Sequence, residues 1–287
     1  MFPENGFILL KMGKIEDGEY YMIFQIGTFT VPYYGFFIAL GIVAASVVGL
    51  LQVRHFHLDA NDFIIVAAVS GLGGFVGAKL LYLLVSWHEI DVSRLLEPEY
   101  LNELMQGGFV FYGGVIGGVA AMLACGKIRA LHVDSLKYAG ICIPCVPVAH
   151  AFGRIGCRMA GCCYGIPYQG PGSIVYHHSS FAPNEIELFP VQSVEAAGEL
   201  LIAAVLLIYL DSGRSRSKSR HGMALYFVLY AILRFVLEFF RYDGKERGIW
   251  GIFSTSQWIS LAILAGLAVW AVSLRRKERE TRSGACL

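Results

Sequence analysis

Charged residues are scarce in this sequence: they make up 16% of its 287 residues, whereas 56% are hydrophobic. The mean hydropathy of +0.57 is far above that of soluble globular domains, in which about a quarter of the residues are charged. This scarcity excludes an ordinary soluble domain and indicates a chain that lies in a lipid bilayer. The net charge of only +1 also lacks the lysine and arginine excess of a general nucleic-acid-binding protein, so no nucleic-acid partner is expected.

Three further absences narrow the class of membrane protein. Alternating stretches of about ten residues, typical of transmembrane β-barrels, are missing, and so is an internal repeat of roughly 20 to 50 residues. The lack of a repeat disfavours a transporter built from inverted repeats. The N-terminus does not combine a basic start, an apolar run and a small-residue cleavage site, so the first spanning helix is expected to serve as the insertion signal.

Seven apolar runs approach the length of about 20 residues that crosses a bilayer as a helix. They cover residues 31–52, 62–86, 109–126, 136–152, 194–211, 222–240 and 252–274. Pro144 and Pro147 are expected to kink the fourth run. The sequence therefore predicts an all-α integral membrane protein with about seven transmembrane helices, which form a single membrane domain over residues 1–287.

Lysine and arginine are distributed unevenly among the connecting segments. They concentrate in the loop at residues 212–220 and in the tail at residues 275–282, which favours a cytoplasmic position for both segments. The N-terminus is then outside and the C-terminus inside, and the two basic segments are expected to meet anionic membrane lipids. Residues 153–193, between spans four and five, are expected to form a small excursion on the outer face.

Residues 150–165, His-Ala-Phe-Gly-Arg-Ile-Gly-Cys-Arg-Met-Ala-Gly-Cys-Cys-Tyr-Gly, follow directly behind the fourth apolar run. Arg154 and Arg158 therefore lie where the chain passes from a lipid-compatible to a water-compatible sequence. Arginine stays charged at any working pH, and its planar fork matches carboxylate and phosphate oxygens. At a membrane boundary, the expected small partner is a lipid phosphate.

Ionisable residues inside the spans are costly unless they are paired or hydrated. Arg234 and Glu238 are four residues apart in the sixth span, so they share a helical face and a purely structural ion pair is one interpretation. Arg241 lies on nearly the same face, and the surplus positive charge favours an anionic ligand. Lys79 in the second span is either functional or a lysine that only extends its ammonium group towards the interface.

Two patterns of small residues have alternative interpretations. Glycines recur in the second and third spans, among them Gly113 and Gly114, either for close helix packing or to make room for a bulky ligand. Cys157, Cys162 and Cys163 are compatible with a metal or redox site or with a disulfide, but cysteine is by default a small buried hydrophobic residue. The seven cysteines suggest no disulfide framework, and neither a metal nor a cofactor is expected.

Short motifs occur in order along nearly the whole chain. They are Val-Pro-Tyr-Tyr-Gly at residues 31–35, Ala-Lys-Leu-Leu-Tyr at 78–82, Gly-Gly-Phe-Val-Phe-Tyr-Gly-Gly at 107–114, Gly-Arg-Ile-Gly at 153–156, Gly161 with Tyr164 and Gly165, Phe-Pro-Val-Gln-Ser-Val-Glu at 189–195, Arg-Phe-Val-Leu-Glu-Phe-Phe-Arg at 234–241 and Ser-Gln-Trp-Ile-Ser at 256–260. In this order and spacing, the motifs resemble those of the bacterial phosphatidylglycerol:prolipoprotein diacylglyceryl transferases.

The resemblance implies a reaction and a location. The diacylglyceryl group passes from phosphatidylglycerol to the lipobox cysteine of a prolipoprotein, which releases glycerol phosphate and forms a thioether. The enzyme would cross the bacterial cytoplasmic (inner) membrane several times, with its active site towards the outer face.

The sequence departs from this family at informative positions. Tyr112 stands where the family motif His-Gly-Gly has its histidine, Lys79 stands where the family usually has arginine, and Cys157 and Cys162 replace an asparagine and a glutamate. Two other classes therefore stay open. One is a diverged paralogue that binds phospholipid or peptide, without transfer or with another acceptor. The other is a small-solute transporter, which only the intramembrane charges favour.

The implied reaction sets two chemical demands. The departing phosphate needs fixed cations, and Arg154 and Arg234 are expected to clamp it while Glu238 orients Arg234. The attacking thiol needs a base, for which Tyr112 and His150 are the candidates. The residues expected to bind substrate are Tyr34, Lys79, Gly113, Gly114, Gly153, Gly165, Gln192, Glu195 and Arg241.

Overall fold

The computed structural model describes residues 9–14, 20–26, 29–106, 108–128, 133–212, 216–242 and 248–284. The described residues fall into two compact units, one within residues 1–48 and 143–287 and the other within residues 49–142. The prediction of one membrane domain over the whole chain stays a prediction. Gly107, from the predicted glycine motif, and residues 213–215, from the predicted basic loop, lie outside the described residues.

Nine α-helices are assigned within the described part of the chain. They are α1 (Tyr33–His55), α2 (Ala60–Val85), α3 (Pro98–Gln106), α4 (Phe111–Cys125), α5 (Ser135–Ile141), α6 (Cys145–Ala160), α7 (Val191–Asp211), α8 (Arg216–Leu237) and α9 (Thr255–Gly284). A short 3₁₀ turn, Glu238–Phe240, continues α8. Two further 3₁₀ turns, Trp87–Glu89 and Val92–Arg94, follow α2.

The strands are short and antiparallel. One sheet contains, in this order, β1 (Leu9–Lys14), β2 (Tyr20–Ile26) and β3 (Phe29–Pro32). This sheet was not predicted from the sequence. β4 (Ile174–Val175) pairs with β5 (Glu187–Leu188), and β6 (Ile249–Trp250) pairs with β7 (Phe253–Ser254). The protein is therefore mostly helical, as predicted, with minor β structure.

Each predicted apolar run coincides with helix in the structure. Among the residues that the structure describes, five helices are long and apolar enough to cross a membrane, and α5 with α6 make a sixth candidate if the pair counts as one span. The break between them, at residues 142–144, includes Pro144 and confirms the predicted kink. α4 has only 15 residues, fewer than the roughly 20 needed to cross a bilayer, so the structure gives five or six candidate spans.

Within the unit of residues 49–142, α2 and α4 pack together through glycines. A Cβ atom added to Gly77 would lie 2.4 Å from the carbonyl oxygen of Gly113, and one added to Gly117 would lie 2.3 Å from the carbonyl oxygen of Gly73. Side chains would force the two backbones apart. The predicted role of these glycines in close helix packing is confirmed.

Within the other unit, α6 packs on α7, α7 on α8 and α8 on α9. α7 buries three polar side chains, Gln192, Glu195 and Glu199, whose spacing of three and four residues places them on one face. α6 extends to Ala160 and is capped by Gly161 in the left-handed conformation, with φ of 76°. The predicted excursion at residues 153–193 is therefore helical at its start, contains β4 and β5 after Gly161, and ends in the first turn of α7.

Candidate active site

Arg154 on α6 is held by two neighbours within the unit of residues 1–48 and 143–287. Its Nε lies 3.1 Å from Oε2 of Glu195 on α7 and donates to Nε2 of His150 at 3.2 Å. His150 precedes Arg154 by four residues, so both side chains leave α6 on the same face. The structure thus brings together three of the predicted site residues.

Arg234 on α8 continues this contact network. Its Nη1 lies 3.4 Å from Oε1 of Glu195, and its Nη2 lies 3.0 Å from Oε2 of Glu238. Nη2 also donates to the Ser256 hydroxyl at 3.2 Å. The helical ion pair of Arg234 with Glu238, predicted from their spacing, is confirmed.

Arg241 completes an alternating chain of charges. Its Nη1 lies 4.0 Å from Oε2 of Glu238. The order Arg154, Glu195, Arg234, Glu238, Arg241 is hereafter called the charge chain. It contains three cations and two anions, so one positive charge is in excess.

The charged side chains of the charge chain are largely buried, so water does not compensate the excess positive charge. Glu195 is 2% exposed, Glu238 is 1% exposed, and Arg234 and Arg241 are each 9% exposed. Such charges persist away from water only when each has opposite charges in contact. The excess positive charge therefore favours an anion at this place.

A third buried acid, Glu199, was missed by the sequence analysis. Its Oε1 lies 2.5 Å from Nδ1 of His150, while its Oε2 is buried without a hydrogen-bond partner among the described residues. The signal was present, because an acid inside a spanning segment marks a site as much as Arg234 does. With Nδ1 facing a carboxylate and Nε2 accepting from Arg154, both ring nitrogens of His150 are engaged.

Three thiols converge at the C-terminal end of α6, one from the helix itself and two from the segment after it. The Sγ atoms of Cys157, Cys162 and Cys163 all lie within 4.8 Å of one another. All three cysteines are free thiols, and Cys162 and Cys163 are only partly buried. Hydrogen bonding to the two other thiols, with Arg241 and Arg154 nearby, lowers the pKa of Cys163.

Gln192 ties the cysteine segment to α7. Its Nε2 donates to the carbonyl oxygen of Cys162 at 2.9 Å and contacts the Tyr176 hydroxyl at 3.4 Å. That hydroxyl donates to the carbonyl oxygen of Arg158 at 3.0 Å, and burial raises the pKa of Tyr176. The exposed Arg158 itself donates to Ser193, so of the two arginines in the central motif only Arg154 joins the charge chain.

The remaining predicted residues of this unit lie around these groups. A Cβ on Gly165 would lie 2.4 Å from the carbonyl oxygen of Phe189, so this glycine permits close approach of backbones. Gly165 also pairs with Arg241 in an isolated β-bridge. Gly153 has open space at its Cβ position. Tyr34 is 45% exposed and close enough to interact electrostatically with Arg154 and the three cysteines.

The other predicted residues belong to the unit of residues 49–142. The Lys79 ammonium donates to the carbonyl oxygens of Leu104 at 2.5 Å and Gly108 at 3.4 Å. Tyr112 is 47% exposed, and Gly113 packs against α2. Gly114 lies in the same helix contact, where its Cβ would be 3.5 Å from a carbonyl oxygen of α2. These contacts support structural roles for Lys79 and Gly113, and their substrate-binding roles stay predictions.

The family model and three relatives that match this chain are all described as prolipoprotein diacylglyceryl transferases. The family model of prolipoprotein diacylglyceryl transferase matches residues 21–272. A phosphatidylglycerol–prolipoprotein diacylglyceryl transferase of Clostridium tetani is 38% identical over 262 residues, which cover 90% of this chain and 99% of that relative. The second such enzyme of Clostridium perfringens is 31% identical over 86% of this chain and 93% of its own length. An enzyme of the same name from Legionella pneumophila is 29% identical over 86% of this chain and 94% of the relative.

Proposed function

This chain belongs to the prolipoprotein diacylglyceryl transferase family, and we propose that it transfers the diacylglyceryl group of phosphatidylglycerol to the lipobox cysteine of prolipoproteins. The reaction releases glycerol phosphate and leaves a thioether on the cysteine. Its role is lipoprotein maturation. No phosphate is transferred to the protein, so the site must hold a phosphate that departs.

The charge chain is the observation that carries this proposal. Phosphatidylglycerol bears one negative charge on its phosphate diester, and the three guanidinium groups of the charge chain suit such an anion. When the bond from carbon to the phosphate oxygen breaks, the leaving group gains a second negative charge. Arginine groups fixed in a dry site stabilise that developing charge without having to reorganise.

The roles of the individual residues follow from their contacts. Both Arg154 and Arg234 contact Glu195, so their guanidinium groups lie close together. From there the two groups clamp the phosphate from two sides. Glu238 orients Arg234 and holds Arg241 near it, and Arg241 adds to the positive field. His150, engaged through both ring nitrogens, is a positioning residue for Arg154.

The proposal includes a membrane topology. α4 and the pair α5 with α6 would add two spans to the five long helices, which gives seven, with the N-terminus outside and the C-terminus inside. The charge chain and the loop after Gly161 then face the outer side of the bacterial cytoplasmic membrane. The exposed side chains of Trp250 and Ile252, in the connection from α8 to α9, suit an interface with lipid on that side.

A transfer assay with purified protein tests the function. The protein in detergent receives phosphatidylglycerol and a lipobox peptide, and the peptide mass and glycerol phosphate release are followed. The wild type should add a diacylglyceryl mass to the peptide. Arg154→Ala should slow transfer about 10²- to 10³-fold, the loss typical of one removed transition-state donor.

Arg158→Ala is the matched control, since Arg158 lies one helical turn after Arg154 but outside the charge chain. Its rate should change less than about fivefold, as for a weak surface contact. Equal losses of transfer rate in the two variants would contradict the proposal that Arg154 clamps the phosphate. An inactive wild type that still binds phosphatidylglycerol would refute the transfer reaction itself.

A further inference from the structure

The three thiols at the C-terminal end of α6 and just beyond it depend on an uncommon backbone conformation. Consecutive residues in extended conformation point to opposite sides of the chain. Cys162 and Cys163 are consecutive, yet both sulfurs lie within 4.8 Å of Cys157 Sγ. Cys163 adopts a left-handed conformation, with φ of 56°, which is unfavourable for a residue with a Cβ atom. Strain of this kind at a cluster of reactive groups indicates function.

Three thiols at these separations form most of a tetrahedral zinc site. Zinc binds thiolate sulfur at about 2.3 Å, and catalytic zinc sites use three protein ligands and leave the fourth position for substrate or water. Cys162 and Cys163 are partly exposed, so the cluster is open to a ligand on one side. Among the described residues, this is the cluster that meets the distance condition for a metal ion.

The surrounding charges also suit zinc. Three thiolates with Zn²⁺ carry one net negative charge. Arg154 and Arg241 both lie near enough to interact electrostatically with Cys163. The positive field of these two arginines would favour a zinc site that carries net negative charge.

We propose that Cys157, Cys162 and Cys163 bind a zinc ion whose open coordination position takes the sulfur of the substrate's lipobox cysteine. The inference rests on the proposed function, since it needs a substrate that attacks through a thiol. A thiol that coordinates zinc is deprotonated outright, which prepares it as a nucleophile. The metal would thus meet the demand for thiol activation that the sequence otherwise leaves to Tyr112 or His150.

The chemical step balances with no further reactant. The lipobox thiol binds zinc and releases its proton to water. Its sulfur then attacks the glyceryl carbon that carries the phosphate oxygen, so that the S–C bond forms as the C–O bond breaks. The electron pair of the broken bond stays on the phosphate oxygen, whose charge the arginines receive. The thioether product is neutral and a weaker zinc ligand, which favours its release.

Metal content tests the site independently of activity. Purified protein is loaded with Zn²⁺, washed and analysed by elemental mass spectrometry and zinc X-ray absorption. About one zinc per chain is expected, with three sulfur neighbours at about 2.3 Å. Cys157→Ser, Cys162→Ser and Cys163→Ser should each lower the zinc content and the sulfur count. Cys145→Ser, a cysteine of α6 outside the cluster, should retain both.

Transfer activity tests the role of the metal. A chelator should abolish transfer by the wild type, and added Zn²⁺ should restore it, which does not depend on whether any cysteine variant folds. On adding lipobox peptide to the zinc-loaded protein, the absorption spectrum should gain a fourth sulfur neighbour. Full transfer by wild type that contains no metal would overturn the proposal, as would a zinc-loaded protein whose sulfur count the peptide leaves at three. Wild type that holds zinc and gains the fourth sulfur but transfers nothing would instead refute the proposed function.

Discussion

The two units of this protein bury polar groups in opposite ways. In the unit of residues 49–142, α2 and α4 approach so closely that glycine carbonyl groups face the opposing backbone, and close backbone packing dominates the contact. In the unit of residues 1–48 and 143–287, α6, α7 and α8 are joined through arginine and glutamate side chains. Added side-chain volume should destabilise the first arrangement, whereas loss of a charged group should destabilise the second. The comparison teaches that added volume in the first unit should change stability alone, whereas lost charge in the second should change stability and transfer together.

The largest effect is expected from Glu195→Gln, which removes the carboxylate between Arg154 and Arg234. Removing one partner of a buried ion pair costs about 3 to 5 kcal/mol, because the remaining charges stay buried and uncompensated. Transfer should also fall steeply. Chemical unfolding in detergent measures the stability, and the transfer assay measures the rate.

Glu185→Gln is the control for this prediction. Glu185 forms an exposed ion pair with His177 at 2.9 Å, so the same substitution should cost less than about 1 kcal/mol. If the two variants were equally stable, the charge chain would not be a buried network in the folded protein.

A smaller effect is expected from Gly113→Ala in the glycine-packed unit. The added methyl group would lie 2.4 Å from the Gly77 carbonyl oxygen and 2.6 Å from Cβ of Leu81, so overpacking should cost about 1 to 3 kcal/mol. Gly71→Ala is the matched variant, because its Cβ meets open space and should leave stability unchanged or raise it by up to about 1 kcal/mol. Equal stability of the Gly113→Ala and Gly71→Ala variants would show that close contact of α2 and α4 at Gly113 does not limit side-chain volume. A Gly113→Ala protein with normal stability and weaker lipid binding would support the predicted substrate role.

Lys79→Met is expected to act through stability alone. The substitution removes the donor to the carbonyl oxygens of Leu104 and Gly108, which should cost roughly 1 to 3 kcal/mol because buried acceptors lose a charged partner. The KM for phosphatidylglycerol should not change. A raised KM at normal stability would show that Lys79 contacts lipid. The glycine-packed unit would then also bind substrate through a charged side chain.

The smallest effect is expected from Tyr112→Phe. With the thiol activated at the cysteine cluster, loss of the Tyr112 hydroxyl should leave the transfer rate within about twofold, since that half-exposed group has no part in the proposed step. A rate reduced by about 10²-fold or more, in the range of a lost general base, would make Tyr112 the base and contradict the role of the metal.

Much of the site was predictable because membrane chemistry makes certain residues conspicuous. An arginine in an apolar run demands a partner, and the spacing of Arg234 and Glu238 on a helix indicated that contact directly. Position at the membrane boundary indicated Arg154, spacing from Arg234 indicated Arg241, and motif order indicated Glu195. Glu199 was missed although an acid inside a spanning segment is itself a signal. Only its contact with His150, 49 residues away, could not be predicted from spacing along the chain.

The sequence by itself determined that the protein is mostly helical and membrane-bound, because the length and apolarity of each run leave few other structures in lipid. It also determined the family, through motifs spread over nearly the whole chain. Only the tertiary structure decided which of the two motif arginines joins the charge chain, that α4 is short, and that three cysteines converge on one point. Those features depend on contacts between helices and on the left-handed backbone of Cys163, which periodicity and spacing do not encode.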